Sequence, residues 1–158
     1  MNKKVIIIAA IAILAVFFLL GGRSPEKTAK QFLEATHEAN AKKFVSLMCD
    51  ELIEKSDAET KKVFIKKAED TLNNTVEQLQ DKYGKKFKYD IEIVDCYEYT
   101  PSEYASDYMS QFIGEDMREV AYSITYEGKG WLNDEEGEDS GKIQLIKKGR
   151  KWYVANFS

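Results

Sequence analysis

Histidine occurs once, cysteine twice and proline twice in this chain of 158 residues, and each scarcity removes a class of chemistry. A single histidine, His37, excludes a metal centre built on several imidazoles and leaves no spare base for a nucleophile–histidine pair. Cys49 and Cys96 are too far apart in sequence for a Cys-x-x-Cys redox or zinc motif. There is no Gly-rich phosphate loop and no Gly-x-Ser-x-Gly elbow. With these motifs absent, the chain is expected not to be an enzyme and to need no cofactor. Basic residues are also in deficit, 23 against 27 acidic. Lys3, Lys4 and Arg23 supply three of the 23, so residues 24–158 carry 20 basic against 27 acidic side chains, a net charge of −7. Such a surface is a poor nucleic-acid binder and offers no polybasic patch to a membrane.

What the chain does have begins with one hydrophobic run. Met-Asn-Lys-Lys precedes 16 residues, 5–20, that contain no charge and no amide. With Gly21 and Gly22, a helix over this run would rise about 27 Å at about 1.5 Å per residue, against a hydrocarbon core of about 30 Å. The run therefore reads as a membrane-targeting segment over residues 1–23, contacting the membrane through residues 5–22. The lysines place its start in the cytoplasm and everything after Arg23 across the membrane. A retained single-pass anchor is favoured over cleavage and secretion, because only Leu20-Gly21-Gly22 offers small residues before a cut. No cysteine follows the run, which excludes a lipid-modified N-terminus of the bacterial lipoprotein kind. Residues 24–158 have the size of one domain with its own core.

Helical periodicity dominates the first half of that domain. Ser24-Pro25-Glu26 sets an N-cap followed by proline at the first helical position, and Ala29, Phe32, Leu33 and Thr36 share a face. Asn40 caps a second helix whose Phe44, Val45, Met48, Leu52 and Ile53 recur at three and four. Ser56 with Glu59 reads as a capping box for a long third helix along Ile65, Ala68, Leu72, Val76, Leu79 and Tyr83, stopped by Gly84.

After Gly84 the period becomes two. Phe87, Tyr89, Ile91 and Ile93 alternate with charged residues in a first strand; Val120, Tyr122, Ile124 and Tyr126 mark a second; residues 142–148 and 151–157 make a third and fourth, turning at Gly149-Arg150. Thr100-Pro101-Ser102-Glu103 starts a short helix between the first two strands, through Tyr104, Ala105, Tyr108, Met109 and Phe112 to Gly114. Residues 128–141, with five carboxylates from Asp134 to Asp139, are expected to be a solvated loop. The architecture expected is α+β: an N-terminal transmembrane or signal helix, then three helices packed on a curved antiparallel sheet of about four strands, with a short helix inserted after the first.

The Ser-Pro-Glu start with Phe32-Leu33-Glu34-Ala35, the second helix after a short Asn-containing break, and the closing strand Gly149-Arg150-Lys151-Trp152-Tyr153-Val154 together resemble the nuclear-transport-factor-2-like superfamily of cystatin-like α+β rolls. Within it the likeness is to small bacterial extracytoplasmic domains. The resemblance spans about residues 24–157 and implies a cone-shaped fold with a pocket between sheet and helices, used by some members for catalysis and by many for binding. The missing lipobox cysteine and the inserted helix depart from the pattern.

Four groups of side chains are candidates for chemistry. Alternation places Asp95 on the face of Ile91 and Ile93, followed by Tyr97 and Tyr99. A carboxylate in an apolar pocket beside a phenol could act as a base with tyrosine on the oxyanion, as the resemblance to ketosteroid isomerase relatives implies. A bulge at Asp95 would instead turn it outward. Cys49 and Cys96 form an even pair in a chain expected to face a non-reducing space, so a disulfide is possible; strict alternation puts Cys96 on the charged face and opposes it, and a bulge near Asp95 would remove that objection. Asp134, Glu135 and Glu136 could give a weak calcium site, although their spacing is not that of an EF-hand. His37, near the end of the first helix, is expected to be a surface or partly buried polar residue that favours the helix C-terminal dipole when charged. Asn73-Asn74-Thr75 matches a glycosylation triplet but falls inside a helix. Tyr97, Tyr99, Tyr104 and Tyr108 are expected to close the open end of the cone as core rather than form a partner surface.

The functional expectation is a membrane-anchored or secreted protein of the bacterial cell envelope carrying a non-catalytic binding or assembly module, monomeric or a weak homodimer, with an unknown protein or small-molecule partner. Two alternatives are a structural subunit of an envelope secretion or conjugation machine, and a small isomerase- or dehydratase-type enzyme using Asp95 with a tyrosine.

Overall fold

The structure, a computed structural model, describes residues 23–56, 58–129 and 134–158. Among these residues no helix is long and apolar enough to cross a membrane. The run on which the membrane expectation rests lies outside them.

Helix α1 (Pro25–His37) begins as its sequence dictates, with the Ser24 hydroxyl accepting from the Lys27 amide at 3.3 Å and proline in the first turn. It buries Thr28, Ala29, Phe32, Leu33 and Ala35 and lies across all four strands of the sheet. Ala29 and Ala35, both fully buried, keep that approach close. The single second helix expected over residues 41–53 is two: α2 (Ala41–Ser46), capped by Asn40, and α3 (Asp50–Glu54). The break has a backbone cause. Val154 donates to Leu47 O at 2.7 Å and Cys49 donates to Val154 O at 2.9 Å, so residues 47–49 extend the sheet for one bridge and cannot continue the helical ladder. Helix α4 (Lys61–Tyr83) starts four residues later than the expected capping box places it: Thr60 and not Ser56 is the cap, accepting from the Val63 amide at 3.3 Å, while the Ser56 hydroxyl donates to Ile53 O.

Strands β1 (Lys88–Glu98), β2 (Met117–Lys129), β3 (Asp134–Lys148) and β4 (Lys151–Phe157) form an antiparallel meander in the order β1-β2-β3-β4. Gly149, at φ 62°, supplies the left-handed residue that the two-residue β3–β4 turn needs. The acidic segment expected as a loop is strand: Glu136 pairs with Glu127, Gly137 with Tyr126 and Asp139 with Ile124. Its low strand propensity is overridden by the continuous ladder with β2.

The sheet has two unlike faces. Toward the helices, Ile91, Val120, Ile124, Ile143, Leu145 and Val154 join the buried side chains of α1, α2 and α4 in one core. On the other face, the short inserted helix α5 (Asp107–Ser110) and the turn after it press Met109 and Phe112 onto Met117, Ile146, Ala155 and Cys49. The α+β class and the four-stranded antiparallel sheet are therefore as expected; the inserted helix is present between the first two strands but spans only Asp107–Ser110, capped by Ser106 rather than starting at Thr100-Pro101.

A candidate ligand pocket between helices and sheet

The helix layer does not close completely on the sheet. Between α1, α2, α4 and the strands β2, β3 and β4 lies a pocket of about 370 Å³, within the size range of small-molecule sites. One end is aromatic: Phe32 stacks on Phe44 with ring centroids 4.4 Å apart, and Phe157 tilts against Phe32 at 5.2 Å. Ala68 and Leu72 form the α4 wall, and Tyr122 and Ile143 belong to the floor. Phe157 is 46% exposed although it faces this apolar wall, which places it at an opening.

The polar groups around the pocket are unequal in what they can offer. Thr36, Thr71 and Thr75 each donate their hydroxyl to the carbonyl four residues earlier, Phe32, Lys67 and Thr71, all at 3.0 Å. Those hydroxyls are committed to their own helices. Tyr122 differs, since no described residue hydrogen-bonds its hydroxyl. Burial and then the Asp139 carboxylate push its pKa up, so it stays a neutral phenol with a proton to donate. Lys67, on the α4 rim, is exposed and makes no ion pair with any described residue.

The carboxylate singled out from the sequence is not in this pocket. The β1–β2 register shifts between Ile93 and Asp95, so Val94 is an extra residue on β1. The bulge reverses the face of everything beyond it. Asp95 is exposed and accepts from the Cys96 amide at 2.8 Å, and an Asp95–tyrosine pair enclosed in a pocket is not formed. Tyr97 stands on the far face of the sheet. There its hydroxyl donates to Glu119 and accepts from Lys142 Nζ at 2.9 Å. Lys142 Nζ is 2.8 Å from Glu119, Gln144 Nε2 donates to the other Glu119 oxygen at 2.5 Å, and Asn156 donates to Gln144 at 2.9 Å. Although burial works against the charged form, the bonds from Lys142, Tyr97 and Gln144 hold the Glu119 carboxyl below its ordinary range. This ladder of four strands satisfies a carboxylate that is only 5% exposed. Each side chain in it has a partner, and both Glu119 oxygens are bonded, so it reads as a structural network rather than a reactive site. The sequence reading missed Glu119; its one signal was a carboxylate two residues from Met117, on the same face of β2.

The same bulge turns Cys96 inward, as the alternative reading required, but the disulfide does not follow. Both cysteines are free. Cys49 hangs from the outer side of β4 and Cys96 lies on β1, with β2 and β3 between them. Neighbouring strands are about 4.8 Å apart, so the pair is well beyond the roughly 7 Å limit between bridged Cα atoms. Cys49 instead packs in the second core beside Tyr108, whose hydroxyl donates to Ala155 O at 2.8 Å.

The candidate calcium ligands Asp134, Glu135 and Glu136 fall in β3 rather than a loop, and among the described residues no group of three His, Cys, Asp or Glu side chains is placed to hold a metal ion. His37 is buried, not superficial. The tyrosines around the insertion divide: Tyr99 and Tyr108 pack into the second core, while Tyr104 is 90% exposed and Tyr97 is 38% exposed.

No family model matches the chain, and no curated protein matches it. Among solved structures, it is similar to a candidate calcium/calmodulin dependent protein kinase II association domain from Xanthomonas campestris, at 10% identity and a TM-score of 0.41, over 81% of this chain and 78% of that one. It is also similar to the intermembrane space region of the chloroplast protein ARC6, at 12% identity and a TM-score of 0.29, over 86% of this chain and 96% of that one. At these scores neither likeness bears on function.

Proposed function

We propose that the chain is a membrane-tethered or exported envelope protein whose folded domain, a roll of the nuclear-transport-factor-2-like kind, is a non-catalytic module that binds a small apolar molecule between its helices and sheet. The pocket of about 370 Å³ carries this reading. Its aromatic end, its aliphatic wall and its self-satisfied threonines reward apolar surface at about 25 cal/mol per Å² removed from water, and they offer no base, nucleophile or metal ligand. The membrane part of the proposal rests on the uncharged run at residues 5–20 after two lysines.

The test is photolabelling of the full chain in phosphatidylcholine nanodiscs with a diazirine-bearing dodecanol, followed by peptide mapping. Labels should concentrate on α1 and α4. They should fall severalfold in Thr71→Trp, which adds bulk at an exposed wall position without entering the core. Labelling spread evenly over the domain surface, or unchanged by Thr71→Trp, would overturn the reading.

A further inference from the structure

The pocket is not electrically neutral at its rim, and this narrows what it can hold. α4 opens with Lys61, Lys62, Lys66 and Lys67 and has no acidic residue in its first turn. Of these, Lys67 lines the pocket, one turn from Thr71. Lys67 is exposed, has no carboxylate partner among the described residues, and borders walls whose threonine hydroxyls are already bonded within their own helices. The lining threonines cannot compete for a ligand's polar end, because breaking their bonds to Phe32, Lys67 and Thr71 carbonyls would cost what a new bond returned. Tyr122 keeps one unspent hydroxyl at the floor. The lining as a whole is an apolar chamber with one positive charge at its mouth.

We infer that the pocket takes a single-chain anionic amphiphile, a medium-chain carboxylic acid, with its hydrocarbon tail against Phe32, Phe44 and Leu72 and its carboxylate at Lys67. This inference rests on the binding reading above and adds the charge of the ligand to it. One chain is specified by volume: about 370 Å³ is near the small end of ligand sites, too little for the two acyl chains of a phospholipid. One negative charge is specified by Lys67, whose solvent-exposed pairing supplies selectivity rather than most of the affinity.

The experiment compares diazirine-bearing dodecanoic acid with the matching dodecanol on the full chain in phosphatidylcholine nanodiscs, each competed with unlabelled dodecanoate. The acid should label α1 and α4 more strongly than the alcohol. Lys67→Gln should lower acid labelling about two- to fivefold, the range of an exposed ion pair, and leave the alcohol unchanged, while Lys67→Arg restores the acid. Equal labelling by both probes, or a Lys67→Gln effect equal on both, would overturn the anionic assignment and leave the apolar pocket standing. Absence of pocket labelling by either probe would overturn the binding reading and this inference with it.

Discussion

His37 Nε2 lies 2.8 Å from the hydroxyl of Tyr126, and the direction of that bond is set by the contact on the other side of the ring. Its Nδ1 is 2.8 Å from Leu33 O, an acceptor only, so Nδ1 holds the hydrogen and Nε2 accepts from the phenol. Tyr126 remains a donor, since burial, then Asp139, Tyr83 and Tyr122, raise its pKa. The ring also stacks on Tyr89 with centroids 4.5 Å apart. The sequence suggested a surface or partly buried histidine at a helix end; the fold buries it between helix and sheet with both ring nitrogens bonded.

A pH dependence follows with a definite sign. Burial pushes the His37 pKa down, against smaller opposing pulls from Leu33 O and Asp139, so the folded value lies below the ordinary one. In the window between the two values the unfolded chain binds more protons, and stability falls as pH drops through about 6.5. Above that window His37 contributes no slope. Urea denaturation of residues 24–158 at pH 7.5 and 5.5 should show a lower midpoint at the acidic pH, and His37→Gln should flatten that difference. Tyr126→Phe should cost about 1–2 kcal/mol at pH 7.5, by leaving Nε2 without a donor. A pH slope undiminished in His37→Gln would assign it to other groups.

Thiol chemistry gives an independent check on the sheet. Burial, then the nearby Glu26 carboxylate, pushes the Cys96 thiol up to about 11, and burial raises Cys49 as well. At pH 8 only about one Cys96 in a thousand is then the reactive thiolate. Protein prepared without reductant should therefore titrate two thiols in urea, and both should react with iodoacetamide far more slowly when folded. Finding no thiols in urea would mean that the two residues meet, which the strand order β1-β2-β3-β4 forbids.

How far the sequence carries depends on what kind of signal each feature has. The first helix, the long fourth helix and the β3–β4 turn are local, set by Ser24-Pro25, by the apolar stripe from Ile65 to Tyr83 and by Gly149, and they were legible. The break between α2 and α3 was not, because its cause is a pair of backbone bonds to Val154, more than 100 residues away. The bulge at Val94 was foreseen as an alternative near Asp95 but could not be placed. One extra residue on β1 moves Asp95 out and Cys96 in, and nothing in the local pattern Ile-Glu-Ile-Val-Asp-Cys marks where the period slips. A pocket between sheet and helices was implied by the resemblance alone, and the residues that line it did not reveal it. Phe32, Phe44, Ala68 and Leu72 recur at helical spacing whether they meet side chains or a cavity, so periodicity names the face and leaves its filling open.

The end of α4 shows how glycines in one hairpin seat an aromatic ring. Tyr83 is buried and stacks on Tyr126 at 5.0 Å and 7° between planes. A Cβ placed on Gly137 would lie 2.0 Å from the Tyr83 hydroxyl oxygen, and one on Gly128 would lie 1.8 Å from the Tyr83 carbonyl oxygen. Both substitutions to alanine should destabilise residues 24–158, by about 1–3 kcal/mol as overpacking does, but for different reasons that a double-mutant cycle separates. The Gly137 clash is with a side chain, so in a Tyr83→Ala background Gly137→Ala should cost almost nothing. The Gly128 clash is with backbone, so Gly128→Ala should cost nearly as much in that background as in the parent. Urea midpoints of the single and double variants decide it: a Gly137→Ala penalty that survives removal of the ring would mean that strand propensity, and not the seat for Tyr83, requires glycine there.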